Sequence, residues 1–246
     1  MHLAKPRSSL SKGLEKSSAP PQSPRLQRIL LPLLRSYLHV YHRMEVNFSP
    51  AVPSRGPFLA LTTHFSMLDV IALMVADPDH PRNVMVVKES LFGIPIVALC
   101  LRAWGAIPVA RSGKDIAAIR SILAVLREGR GICIAAEGTR SRTGRLGSLS
   151  PVLVKLALMV AREDIPVVPV AELGTFEAFP PGAWLPRPRK VTVVARGPMD
   201  LTPWRVGKIG PQELSEAAFL IQDALASLLP EWQRPLPGTP ALAPPG

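Results

Sequence analysis

Short apolar runs rich in β-branched residues alternate with longer stretches of helical period along most of the chain. This alternation confines the fold more than any other feature. The strand-like runs are PFLALTT, NVMVVK, GAIPV, GICIAA, IPVVPVA and KVTVVAR. Between them stand MLDVIALMVA, SLFGIPIVALCLRAW, KDIAAIRSILAVLREG and PVLVKLALMVARE, and PQELSEAAFLIQDALASLLPEW follows the last strand. Strands that are oily throughout are buried on both faces, and strand–helix repeats place them parallel in the middle of a layered sheet. The prediction is a single layered α/β domain, its mostly parallel central sheet flanked by helices. With 246 residues, 47% of them hydrophobic, the chain can bury one sizeable core, and neither a repeat nor a linker interrupts its body.

The ends read differently. MHLAKPRSSLSKGLEKSSAPPQSPR lacks the apolar region of a secretory signal and predicts a disordered basic tail over residues 1–24. RPLPGTPALAPPG predicts a loose Pro-rich tail over 234–246, which leaves the body at 25–233. Within it, residues 25–44 (RLQRILLPLLRSYLHVYHRM) carry helical period, with Pro32 as a kink or as the effective start. Arg25, Arg28, Arg35, His39, His42 and Arg43 share an arc of about 100°. Leu30, Leu33, Leu34, Tyr37, Tyr41 and Met44 lie opposite. A basic face without acids and an apolar face with Tyr predict an amphipathic helix lying on an anionic membrane surface. The alternative is a surface helix with its apolar side on the core. His39 and His42 are explained by the basic face, and no metal site is predicted.

No apolar run reaches the ~18–20 residues of a spanning helix, so attachment is expected to be peripheral or monotopic, at the cytoplasmic face. A formal net charge of +11 calls for anionic partners. Nucleic acid is set aside, because no zinc-finger, RNP-like or aromatic-interleaved basic stretch occurs. Cys100 and Cys133 sit in apolar runs and read as reduced core residues.

Chemistry-bearing residues cluster where strands are predicted to end. THFSMLDV holds His64 and Asp69 five residues apart in oily surroundings. On one helix they would point about 140° apart, so they meet only if the chain turns between them. Ser66 as a helix N-cap with Asp69 three residues on would account for Asp69 alone. It leaves His64 unexplained at a strand's carboxyl end, where ligands bind in open α/β sheets. A carboxylate on the ring's far nitrogen would make that imidazole a general base. Ser66 as a hydrolase nucleophile lacks the G-x-S-x-G elbow. AAEGTRSRTG follows another strand and brings Gly138 for close backbone approach, the Thr139 hydroxyl, and the forks of Arg140 and Arg142 for phosphate. GAIPVARSGKD places Arg111 just past a third.

In this order, H-x-x-x-x-D, GAIPVAR, EGTRSRTG and IPVVPV resemble the four blocks of the glycerolipid acyltransferase family, whose best-known members are 1-acyl-glycerol-3-phosphate acyltransferases. The similarity spans roughly Pro57 to Val170. It implies an α/β fold, a membrane surface, no bound cofactor, and acyl-CoA or acyl carrier protein as donor to a lysophospholipid. It further implies that His64 takes the acceptor hydroxyl's proton while Asp69 orients the ring. Arg111, Glu137, Gly138, Thr139 and Arg140 would form the acceptor's phosphate site, and Pro169 would shape the acyl and catalytic region. Lys88, near the same face, is a candidate contact for an anionic group. The chain departs from the family pattern at Thr63, where Asn is usual, and at Ala135–Ala136 in place of Phe-Pro. Further on, LSPV puts Ser150 and Val152 where a lysine and a glycine are expected. These departures leave another lysolipid or an aminolipid as alternative acceptors, and a catalytically idle membrane-binding homologue as the alternative outside the enzyme class.

Overall fold

The computed structural model describes residues 20–76, 83–110 and 116–244. Helix α1 (Pro24–Ser36) passes without a break into a π-helical turn at Tyr37–Tyr41, and β1 (Glu45–Phe48) and β2 (Leu59–Thr62) follow. Next come α2 (Leu68–Ala76), β3 (Val84–Lys88), a 3₁₀ turn at Glu89–Gly93, α3 (Pro95–Ala103), β4 (Ile107–Val109), α4 (Ile116–Arg127) and β5 (Ile132–Ala135). The chain then forms α5 (Pro151–Arg162), β6 (Val167–Leu173), the four-residue α6 (Thr175–Ala178), β7 (Thr192–Ala195) and α7 (Pro211–Ala226). All six predicted strands are present. The unforeseen β1 has four exposed residues, as an edge strand can, and so gave no apolar signal.

The seven strands form one sheet in the order β1-β7-β6-β2-β5-β3-β4. All neighbours pair parallel except β6 and β7, which are antiparallel. The strands are oily because both faces are covered. Leu59, Leu61, Ile132 and Ile134 point to one side, into a core shared with α4, α5 and α7. Ala60, Cys133, Val168 and Val170 point to the other, against α1, α2 and α3. From β2 the chain runs by α2 to β3, beyond β5. From β5 it runs by α5 to β6, on the far side of β2. Adjacent strands whose connections leave in opposite directions open a crevice at their carboxyl ends.

Two expectations need correction. Most of the predicted Leu/Tyr face packs on the core: Met44 is buried beside Leu38, and Leu30, Leu34 and Tyr37 pack against the same cluster, whereas Leu33 and Tyr41 are exposed. The outward apolar residues are Ile29, Leu33, Val40 and Tyr41. The π turn advances the register, and His42 thereby leaves the basic arc for the interior, 0% exposed. Its Nδ1 donates to the Arg189 carbonyl at 3.1 Å, and Nε2 accepts from the Tyr37 hydroxyl at 3.0 Å. Burial lowers its pKa. Pro32 lies inside α1, not at its start. The second correction concerns the carboxyl-terminal segment, expected to be loose. The Leu149 N–H donates to the Ala241 carbonyl at 2.7 Å and the Ala243 N–H to the Leu149 carbonyl at 2.8 Å, while Leu242 packs on the core. Apolar Ala-Leu-Ala between the prolines supplies this contact.

Gly174 makes the sharp exit from β6 toward the site, with φ +78° and an added Cβ only 2.0 Å from the Lys190 carbonyl oxygen. Neither the conformation nor the space admits a side chain. Gly174→Ala should therefore cost about 2–4 kcal/mol of unfolding free energy. Denaturant melting checks this, and a midpoint unchanged from wild type would contradict it.

Candidate active site

The crevice between β2 and β5 receives its first two groups from the turn after β2. Asp69 is 1% exposed, and its Oδ2 accepts three hydrogen bonds. They come from His64 Nδ1 at 3.0 Å and from the Phe65 and Ser66 backbone N–H groups at 2.8 Å each. Ser66 Oγ in turn accepts from the Leu68 N–H at 3.1 Å. The helix cap and the imidazole partner are thus one carboxylate, so the two readings of Asp69 coexist. With Nδ1 donating to Asp69, Nε2 keeps its lone pair, the tautomer a general base requires. The His64 side chain, 21% exposed, borders the cavity described below.

The loop after β5 is stitched to the same place. The Ala136 N–H donates to the Thr62 carbonyl at 2.9 Å, and the Ser141 N–H to the His64 carbonyl at 2.8 Å. Gly138 takes φ +72° at the bend. Thr139, Arg140 and Arg142 stand exposed around the opening. Glu137 turns away from it, its Oε1 accepting the Gly147 N–H at 2.5 Å. Burial, against that hydrogen bond and with help from the Asp69 charge, raises its pKa to about 7.

A cavity of about 660 Å³ begins at this edge and runs into the body. Strands β3 and β5 pair only at Val84–Ile132 and Met85–Cys133, while β3 stays with β4 from Val86 to Lys88. Beyond Met85 the two strands part, and the cavity enters the gap. Met67, Leu73, Met85, Cys133, Ile122, Leu153 and Leu156 make its walls apolar. Lys88, Arg140 and Arg142 put positive charge on its rim. Ser150 and Val152 line it where the family pattern has lysine and glycine, so that cation is missing.

Of the predicted residues, the structure brings together His64, Asp69, Lys88, Gly138, Thr139 and Arg140. Arg111 lies outside the described residues, although its neighbour Ala110 lines the cavity. Pro169 is buried mid-sheet opposite Leu61, its carbonyl accepting from the Arg196 N–H at 3.3 Å, and is not among the residues that line the cavity. Sequence reasoning missed Glu172, 0% exposed. Its Oε2 accepts from the Thr63 hydroxyl at 2.7 Å, and burial together with the Asp69 charge pushes its pKa well above the usual carboxylate range. Thr63, in the place of the family's Asn, is the partner of this acid. An acid inside the otherwise apolar run IPVVPVAEL was the available signal. Among the described residues, no group of three His, Cys, Asp or Glu side chains is arranged to hold a metal ion.

The acyltransferase family model matches residues 43–172, more than half of the chain. The chain belongs to that family. It is 30% identical over 183 residues to a 1-acyl-sn-glycerol-3-phosphate acyltransferase of Limnanthes douglasii, covering 73% of this chain and 61% of the relative. To the chloroplastic enzyme of that name from Brassica napus it is 24% identical over 149 residues, covering 59% of this chain and 42% of the relative. The chain thus spans about two fifths of that relative's length. The crystal structure of the 1-acyl-sn-glycerophosphate acyltransferase of Thermotoga maritima superposes with a TM-score of 0.59 at 20% identity, covering 82% of this chain and 81% of that one. That likeness shows a common fold.

Glu137 is expected to make the stability of the chain sensitive to pH. Its folded-state pKa stands above the ordinary 4.5, so its contribution is complete below about pH 4.5 and is lost as pH rises through about 7. The loss is on the order of 3 kcal/mol. Glu137→Gln keeps the acceptor for Gly147 and removes the titration. Melting temperature should fall less between pH 5 and pH 8 in this variant than in wild type, and identical slopes would show that the group does not titrate in that window.

Proposed function

We propose that the protein moves a fatty acyl group from an acyl thioester, acyl-CoA or acyl carrier protein, to the free hydroxyl of a lysophospholipid at an anionic membrane surface. The acceptor favoured is 1-acyl-glycerol-3-phosphate, which becomes phosphatidic acid. The observation that carries this reading is the His64–Asp69 hydrogen bond at the mouth of an apolar cavity with a cationic rim. His64 Nε2 accepts the hydroxyl proton as the hydroxyl oxygen attacks the thioester carbonyl carbon. Asp69 holds the ring and stabilises the imidazolium. Collapse of the tetrahedral intermediate breaks the C–S bond, the thiolate takes the proton back from His64, and an ester and a free thiol result. A thioester needs no covalent enzyme intermediate for this, only a positioned base and charge neutralisation.

The cationic rim supports a place for the phosphate. Arg140, with Lys88 and Arg142, would meet the acceptor's phosphate, and Arg111 is proposed for the same group from its place in the GAIPVAR block. The apolar walls suit an acyl chain, and the acid on Glu172 is proposed to stay neutral beside Asp69 so that the negative charge remains where the imidazole needs it. Among the described residues no helix is long and apolar enough to cross a membrane. Attachment is therefore proposed through the outward face of α1, where Arg25 and Arg28 flank Ile29 and Leu33. The cytoplasmic face is the side proposed.

Mass spectrometry of products from a panel of lysolipids, with both donors, tests the reading. A phosphatidic acid product from wild type and a rate lower by ~10²–10⁴ in a folded His64→Ala variant are expected. Wild-type turnover in that variant would remove His64 as the base, and the absence of product from every lysolipid would favour an idle homologue. Arg140→Ala should raise the KM for lysophosphatidic acid far more than that for the donor. Arg140→Lys should also suffer, since a point charge does not reproduce the planar fork. A change confined to the donor's KM would reassign Arg140 to the donor side.

A further inference from the structure

The segment FPPGAWLPRPRK, residues 179–190, joins α6 to β7 and takes no part in the chemistry above. Its tip exposes Trp184 at 96% and Leu185 at 77%. A tryptophan with almost no protein contact is unusual, because its ring is among the largest apolar surfaces a chain can bury. Nor is the loop slack. The Arg187 N–H donates to the Ala178 carbonyl at 2.7 Å and closes its base, and the Ala183 N–H donates to the Pro180 carbonyl at 3.1 Å. The Tyr41 hydroxyl braces it from the end of α1, donating to the Pro186 carbonyl at 2.9 Å. Four prolines restrict the rest.

Charge and position say what covers this tip. The segment contains no acid, and Arg187 and Arg189, both exposed, form no ion pair among the described residues, whereas Lys190 is engaged by Glu45 at 2.7 Å. An apolar tip with arginines behind it complements a surface whose outer layer is anionic and whose interior is oily. At the loop's other end, Pro181 lines the cavity that holds His64, and the Phe179 carbonyl accepts the Ser66 hydroxyl at 2.7 Å. One short, braced loop therefore connects the cavity wall to the exposed Trp-Leu pair.

We propose that this loop is a membrane wedge: Trp184 and Leu185 enter the headgroup–acyl boundary of an anionic phospholipid bilayer, Arg187 and Arg189 rest on its phosphates, and the cavity mouth is thereby seated on the lipid surface. The proposal rests on the lipid-acyltransferase reading for the benefit of that seating, but the docking itself can be measured apart from catalysis. The full chain is mixed with phosphatidylglycerol–phosphatidylcholine vesicles carrying bromine on the upper acyl carbons. The fluorescence difference between wild type and Trp184→Ser isolates this residue from Trp104, Trp204 and Trp232. That difference signal should be quenched by the bromolipid and shift to the blue. In sedimentation, Trp184→Ser/Leu185→Ser should bind these vesicles about 30-fold more weakly or worse, a loss of roughly 2 kcal/mol of apolar burial. The same variant should keep wild-type turnover on a short-chain lysophosphatidate dissolved as monomers and lose turnover on vesicle-borne acceptor. Vesicle-bound protein whose Trp184 signal is not quenched, or a double variant that binds as wild type does, overturns the wedge, and the tip then belongs to a protein partner. Wild type that makes no product from either acceptor, yet shows the quenching, refutes the acyltransferase reading and leaves the wedge standing.

Discussion

One oxygen atom, Asp69 Oδ2, joins the fold to the site. It takes the two backbone N–H groups that open onto α2 and the Nδ1 proton of His64, and it does so almost without solvent. A buried carboxylate is costly unless donors meet it, and here three do. Two of these bonds fix the turn after β2, so the carboxylate that holds the imidazole is itself held by the start of the helix. Holding the imidazole, the general base on the proposed reading, is thus a by-product of ending a strand and beginning a helix. The neighbouring acids respect this arrangement. Glu137 and Glu172 are both shifted toward the neutral form, by burial first and by the Asp69 charge besides. Three ionised carboxylates in this space would repel one another, and shifting two of them toward the neutral form favours the charge beneath His64.

Sheet topology brings the second partner. Since the connections from β2 and β5 leave in opposite directions, the loops after these two strands face each other with no helix between them. Two backbone bonds, Ala136 to Thr62 and Ser141 to His64, then tie the basic loop to the histidine. The parting of β3 from β5 after two residue pairs adds depth to the crevice. A regular ladder would have closed that gap with hydrogen bonds. Val86 to Lys88 instead stay with β4, and the walls left behind are the apolar side chains of a sheet interior.

Much of this was legible in the sequence because parallel strands announce themselves. Buried on both faces, they read as unbroken oily runs, and the polar residues just past each run stand out as candidates. His64, Asp69 and the Gly138–Arg140 stretch were found that way. What stayed hidden had no local signature. Strand β1 is exposed on all four residues, so nothing in EVNF distinguished it from loop. The burial of His42 depends on a π turn that shifts the register after Ser36, which a fixed 100° step cannot foresee. Glu137 and Glu172 are ordinary acids in one dimension. Only the packed sheet shows that one turns inward to Gly147 and the other meets Thr63. Polarity of a residue type predicts solvent, and these two are exceptions whose burial shifts them toward the neutral form.

The lost lysine of the LSPV segment sharpens how the rim must work on the proposed reading. With Ser150 and Val152 in the lining, none of the described residues that line the opening from the α5 side is a cation, and the described cations of the rim are Lys88, Arg140 and Arg142. Lys88 belongs to β3, the two arginines to the loop after β5, and the gap into the cavity lies between those strands. An anionic group held by all three would sit over the gap itself. Anything covalently attached to it then has an apolar path inward, between β3 and β5, and His64 among its polar neighbours at the edge. A substrate with a phosphate, a hydroxyl a few bonds away and a long hydrocarbon tail satisfies each of these surfaces, whereas a soluble phosphate ester would leave the apolar walls unused. On the proposed reading the cavity thereby selects an amphiphile before any chemistry begins, and an amphiphile would be delivered from a lipid surface.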